Sequence, residues 1–205
     1  FRSADNLFEG IQNIAPALEV SASLRGTAVT LTKIANDIRL LSSGPRTGFA
    51  EIELPAVQPG SSIMPGKVNP VMAEMLNMVC YQVLGNDTAI SYATQASQLE
   101  LNVMMPMAAY NLLSSMEILA KGVKAFSEKC ISGIQANSKR CRELAEATLA
   151  MATALNPVIG YEAAAGISKE AFRTGMTVKE IVIAKGILNQ SEADRLLDPK
   201  RLTGK

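Results

Sequence analysis

Apolar residues recur at three- and four-residue intervals through most of this chain, a period that predicts helices instead of strands. Leu7, Ile11 and Ile14 open such a face, and Pro16 must interrupt or kink it. The spacing resumes with Leu24, Leu31, Ile34, Ile38 and Leu41 and stops at Ser42-Ser43-Gly44-Pro45. Lys33, Asp37 and Arg39 fall mainly off that stripe and read as a solvated or inter-helix polar face. Residues 49–59 carry two prolines and a brief alternation at Ile52 and Leu54, which predicts a short strand or extended connector; Glu51 and Glu53 read as an exposed pair on it. A helix is predicted from Pro70 to about Ile90, weak at Gly85-Asn86-Asp87. Its apolar residues, from Met72 and Met75 to Val83 and Leu84, lie on more than one side, so it should be deeply buried in a bundle.

A second very apolar segment runs from Leu99 to about Phe126, with Pro106 expected to kink or divide it. Met104, Met105 and Met107 read as packing residues there. A further helix is predicted over Ser138–Thr153, then a break at Asn156-Pro157. Shorter helices follow at Tyr161–Arg173, Val178–Lys185 and Ser191–Leu197, separated by Gly175 and Gly186. The pattern therefore predicts an all-α fold in two parts: a long-helix bundle over residues 1–154 and a small helical domain over 155–205.

Composition agrees with that class. The 205 residues are 48% hydrophobic but only 4% aromatic, with ten Met and no Trp, an aliphatic core that suits packed helices. A formal charge of +1 gives no reason to expect nucleic acid or an anionic membrane as partner, and no stretch is long and apolar enough to span a bilayer. Cys80, Cys130 and Cys141 form no CxxC pair and read as reduced thiols of a cytoplasmic protein. Histidine is absent, which excludes a His-based triad or a His-ligated metal within this chain. No metal ion or cofactor is expected. The first residues lack Met and already read as a helix approach, so the chain is expected to be a piece of a larger protein.

Polar chemistry concentrates in one stretch, Gly60-Ser61-Ser62-Ile63-Met64-Pro65-Gly66-Lys67-Val68-Asn69-Pro70. Asn69 is a good N-cap and Pro70 suits the first helical position, so the loop should feed a helix whose N-terminus favours anions. Lys67 adds a full charge, Gly60 and Gly66 permit close approach, and Ser61 and Ser62 supply hydroxyls. These parts describe a carboxylate-binding loop with a candidate proton acceptor. Read blandly, the same residues are loop punctuation with a solvated lysine. Glu74, in the first turns beyond the loop, would complement the helix dipole.

The string from Gly60 to Pro70 closely resembles the signature of the fumarase/aspartase superfamily, with the Ser62-to-Met64 spacing of its fumarase and aspartase branches. The resemblance extends over essentially the whole chain. It implies a three-domain fold whose central helices assemble as a homotetramer, with active sites built from three regions on three subunits, of which only the third is present here. These 205 residues alone are accordingly expected to be inactive. The implied reaction is elimination β to a carboxylate, releasing fumarate from a small dicarboxylate. By motif position Ser61 would be the general base, acting as an alkoxide, with Ser62 the neighbouring alternative. Lys67 and Asn69 would bind the substrate carboxylate, and Glu74 would pair with a histidine supplied by another segment. Arg46 matches the family's Ser-Gly-Pro-Arg turn, with a structural role in bracing the loop. The flanking strings Leu31-Thr32-Lys33-Ile34, Arg39-Leu40-Leu41-Ser42-Ser43 and Gln98-Leu99-Glu100-Leu101-Asn102-Val103-Met104 resemble the ammonia-eliminating branch more than the hydratase branch. Malate dehydration is the alternative, and a helical assembly module without catalysis a further one.

Overall fold

The structure, a computed structural model, describes residues 2–203 and divides into two compact units between Gln135 and Ala136. The first is built on three long helices: α2 (Ala15–Leu41), α3 (Val71–Gln95) and α4 (Met105–Lys129), preceded by a short α1 (Leu7–Gln12). α3 packs against both α2 and α4. Much of the seam is made of small residues: Ala28, Ala35 and Ala73 are fully buried beside Leu76, Cys80 and Val83, with Leu119 and Phe126 from α4. Gly122 of α4 sits so close to Val79 that an added Cβ would lie 3.2 Å from its side chain. Burial pushes the Cys80 and Cys130 thiols up, so both pack as neutral groups. Two short strands, β1 (Ile52–Glu53) and β2 (Gln135–Ala136), form a two-stranded ladder. The fold is all-α, as the apolar period predicts.

One departure from the predicted elements of this unit, at Pro106, has a local cause. Pro16 marks an interruption, as expected: α1 ends at Gln12 and Pro16 lies in the first turn of α2. Pro106 likewise lies in the first turn of α4, starting that helix instead of kinking it, because a missing N–H costs nothing there. The segment before α4 is therefore a loop, pinned by Asn102, whose amide donates to Ala93 O (3.0 Å) and accepts from Met104 N (2.9 Å). Met104 and Met107 are partly exposed there, not core. α3 passes through Gly85-Asn86-Asp87 unbroken, because both polar residues are buried with partners on other helices. Asn86 donates to Ser115 Oγ (3.0 Å) of α4; Asp87 accepts from Ser21 Oγ (2.7 Å) and Arg25 Nη1 (2.9 Å) of α2. Asp87 is 3% exposed while the Arg25 side chain is 52% exposed. Removing the arginine thus strands a buried carboxylate, and Arg25→Met is expected to lower the unfolding free energy by about 2 kcal/mol. Chemical denaturation reads this directly, and an unchanged midpoint would show that the pair contributes nothing.

The second unit contains α5 (Ser138–Ala147), a 3₁₀ stretch (Leu149–Leu155), α6 (Asn156–Ile159), α7 (Tyr161–Thr174), α8 (Val178–Ala184), α9 (Gln190–Leu196) and α10 (Pro199–Leu202). Sequence pattern placed the domain boundary near residue 155; the compact units divide twenty residues earlier. Met151, Ala152 and Leu155 of the 3₁₀ stretch join the core of this unit with Ile167, Val182 and Leu197, which ties the preceding segment to it. The predicted Ser138–Thr153 helix is cut at Thr148, which turns extended and accepts a hydrogen bond from Ala150 N to open the 3₁₀ stretch. α7 ends at Gly175 in the left-handed conformation (φ 74°), a stop that suits glycine.

Capping boxes begin α8 and α9: Thr177 with Glu180, and Asn189 with Glu192. Hydrogen bonds from the Thr177 backbone and hydroxyl hold the Glu180 carboxyl below its ordinary range, and Lys179 does the same for Asp194. A carboxyl depressed in the folded state contributes stability that is complete above its unfolded value and disappears as pH falls through the folded one. Protection factors of the α8 and α9 amides are therefore expected to fall as the pH drops below about 4, ahead of those in α3. Equal acid sensitivity in both units would contradict this. Among the described residues no helix is long and apolar enough to cross a membrane.

Candidate active-site loop

The loop between β1 and α3 is shaped by its own backbone. Asn69 Nδ2 donates to Gly60 O at 2.6 Å, joining the two ends of the stretch. Gly60 is pressed against Lys67, so closely that a Cβ would fall 1.9 Å from the Lys67 carbonyl oxygen. Gly66 turns the chain with φ 74°, and Lys67 N donates to Met64 O (3.3 Å). Between these points Ser61 Oγ accepts from both Ile63 N and Met64 N, each at 3.1 Å. Loop residues Gly60, Ser61, Met64, Gly66 and Lys67, with Val57 and Gln58 of the connector, line an open cavity of about 450 Å³.

This geometry brings some of the sequence-predicted residues together and separates others. Ser61 and Lys67 line the same cavity. Ser62, next to Ser61, is exposed and outside that lining. Asn69 is not the helix cap expected of it. Pro70, with ψ 51°, occupies the cap position without entering the helix, and the Asn69 amide is turned back to Gly60 instead. Its role in the structure is to clasp the loop. Glu74 lies in the first turn of α3, where its Oε1 is 4.0 Å from Arg39 Nη2 of α2. Arg46 is exposed in the turn after α2.

Two features were not legible in the residue pattern. The N–H groups of Ile63 and Met64 converge on Ser61 because of how the loop folds, and no side chain announces them. Arg39 was placed on a polar face, which is where it lies, but its approach to Glu74 follows from the antiparallel packing of α2 on α3. The spacing of Asn36 and Arg39 opposite Asn77 and Glu74 is the only sign the sequence carries.

Chemically, two N–H donors aimed at one hydroxyl oxygen favour its ionised form, as does a nearby cation. The open cavity beside them has room for a small anion. Ser61, whose hydroxyl oxygen takes both N–H groups, and Lys67 thus line one open pocket.

Residues 2–85 match the Lyase family model and residues 151–204 match the model of the fumarase C C-terminus. Aspartate ammonia-lyase from Bacillus subtilis is 50% identical over 98% of this chain. The fumarate lyase:delta crystallin structure from Brucella melitensis superposes with a TM-score of 0.93 at 51% identity, also over 98% of the chain. The chain belongs to the fumarase/aspartase superfamily. Within the superfamily, likeness reaches both branches: fumarate hydratase class II from Rickettsia felis is 46% identical across the whole chain. The chain spans 42% of the Bacillus enzyme's length, 44% of the Rickettsia enzyme's and 44% of the Brucella chain, so each superfamily relative is more than twice as long.

Proposed function

We propose that this chain is the signature-loop portion of a lyase that eliminates ammonia from L-aspartate to give fumarate. The observation that carries this reading is the Ser61 hydroxyl held by two backbone N–H groups on the same cavity as Lys67. The difficult step is removing a proton from the carbon beside a carboxylate. Ser61, as an alkoxide, takes that proton from C3 of the substrate. The electron pair moves into the adjoining carboxylate, giving a doubly charged aci-carboxylate. Its collapse forms the C2–C3 double bond and expels the ammonium group from C2 as neutral ammonia.

Lys67 and the positive end of α3 counter the charge that builds on the carboxylate, each preorganised donor being worth about 3 kcal/mol in such a site. Asn69 acts first as the clasp that holds Gly60 and Lys67 in register; the rest of its hydrogen-bonding capacity is directed to the substrate carboxylate. Glu74 receives a donor, a histidine, from another segment of the protein. Ammonia loss is placed ahead of malate dehydration because relatives named aspartate ammonia-lyase reach 50% identity and the flanking strings agree with them. The Rickettsia hydratase, at 46%, favours malate as the second reading.

The assembly is read as a cytoplasmic homotetramer with sites shared between subunits. Support comes from the long helices, which leave large apolar side chains exposed: Met78 (64%), Tyr92 (64%), Tyr110 (72%) and Leu113 (64%) among them. Such faces are usual where helices pack between subunits. The test is fumarate formation, followed by ultraviolet absorbance, by the longer protein offered L-aspartate and L-malate in parallel. Product from aspartate alone is expected. Product from malate alone would install the second reading, and silence with both would favour a helical assembly module without catalysis.

A further inference from the structure

Polar contacts cross the α2–α3 seam in antiparallel order and end at the loop. Arg25 meets Asp87 at 2.9 Å deep in the bundle; nearer the loop Asn36 Oδ1 accepts from Asn77 Nδ2 at 2.8 Å; nearest the loop Arg39 Nη2 approaches Glu74 Oε1 at 4.0 Å. Arg39 is also held from behind, its Nη1 donating to Asn36 Oδ1 at 3.4 Å. Asn77 is 3% exposed and lies one turn beyond Glu74 on the same helix. Glu74, Arg39, Asn36 and Asn77 therefore form a ring closed through the α3 backbone and anchored on a buried amide.

We infer that Arg39 is a positioning residue for Glu74. An isolated, half-exposed ion pair has little consequence. This one differs because the guanidinium is fixed from its other side, so it draws one carboxylate oxygen, Oε1, toward α2. Oε2 has no hydrogen-bond partner among the described residues, and the side chain is 41% exposed, so that oxygen is available to an incoming donor. A carboxylate free to rotate would present either oxygen, or neither, to that donor. The inference rests on the reading of Glu74 as the group that receives such a donor; it adds which residue sets its orientation. Arg39 acts through Glu74 and does not itself touch substrate.

The test measures kcat and KM in the longer protein for Arg39→Gln, Arg39→Lys, Glu74→Gln and the double variant Arg39→Gln with Glu74→Gln. Both side chains are partly exposed, and circular dichroism checks that each variant keeps its helices. Arg39→Gln is expected to lower kcat about fivefold with little change in KM, Arg39→Lys to recover most of that loss, and the double variant to be no worse than Glu74→Gln alone. Impairment by Glu74→Gln with an unaffected Arg39→Gln would overturn the inference and leave the reading of Glu74 intact. A raised KM in Arg39→Gln that multiplies with the Glu74→Gln defect would overturn it too, because Arg39 would then bind substrate directly. A silent Glu74→Gln variant would instead remove the reading of Glu74 on which the inference stands.

Discussion

Ser61→Ala in the longer protein is expected to lower kcat about a thousandfold while leaving KM within a fewfold of its original value. The loop should survive the change. Ile63 and Met64, whose N–H groups now donate to Ser61 Oγ, are both exposed, so water can take the place of the hydroxyl. What disappears is the one hydroxyl in the cavity wall that those donors favour as an oxyanion. Ser62→Ala, measured alongside, should be mild, because Ser62 is exposed and outside the cavity lining. If the two results are reversed, the base is Ser62, and the paired N–H groups serve only to shape the turn.

The second large effect concerns a residue with no functional group. Gly60→Ala would place a methyl 1.9 Å from the Lys67 carbonyl oxygen and 2.5 Å from its carbonyl carbon. Both obstacles are backbone, so no side chain can swing aside; the two ends of the loop must part. Parting them stretches the Asn69–Gly60 hydrogen bond and moves Lys67 relative to Ser61. A displacement of that kind costs about a hundredfold in kcat/KM. Gly66→Ala is the matched control: its φ of 74° is unfavourable for alanine, but nothing lies within 4 Å of the new methyl. Strain of about 1–2 kcal/mol is the whole penalty there, and the effect on turnover should be far smaller. Similar losses from both substitutions would mean that flexibility at the glycines, not the close approach at Gly60, is what matters.

How far the chain could be read in advance depended on the range of the interactions involved. Helix-stop glycines such as Gly175 act within a few residues, and the end of α7 was legible to within one residue. The course of α3 through Gly85-Asn86-Asp87 was predicted, but what secures that weak point was not legible. Gly85, Asn86 and Asp87 are each poor helix formers, and what stabilises them there are Ser21, Arg25 and Ser115, far away in sequence. Pro106 was misread for the opposite reason: it is local, but its meaning depends on whether helix precedes it, and Asn102 had already fixed a loop there. At the site, motif spacing singled out Ser61 and Lys67, which share a cavity. It gave Asn69 a capping role that Pro70 occupies instead, because backbone torsions two residues apart decide which way the amide turns.

The clasped loop has a thermal consequence. Its shape depends on a few hydrogen bonds between its own residues, while the bundle beneath is held by the small-residue seam of α2, α3 and α4. Segments secured so differently open at different free energies, and the loop belongs at the low end of that range. Warming should therefore scramble the pocket reversibly while the helices still stand. Catalytic failure and denaturation would be two events on the temperature axis, and cooling from between them would restore activity without any refolding of the bundle.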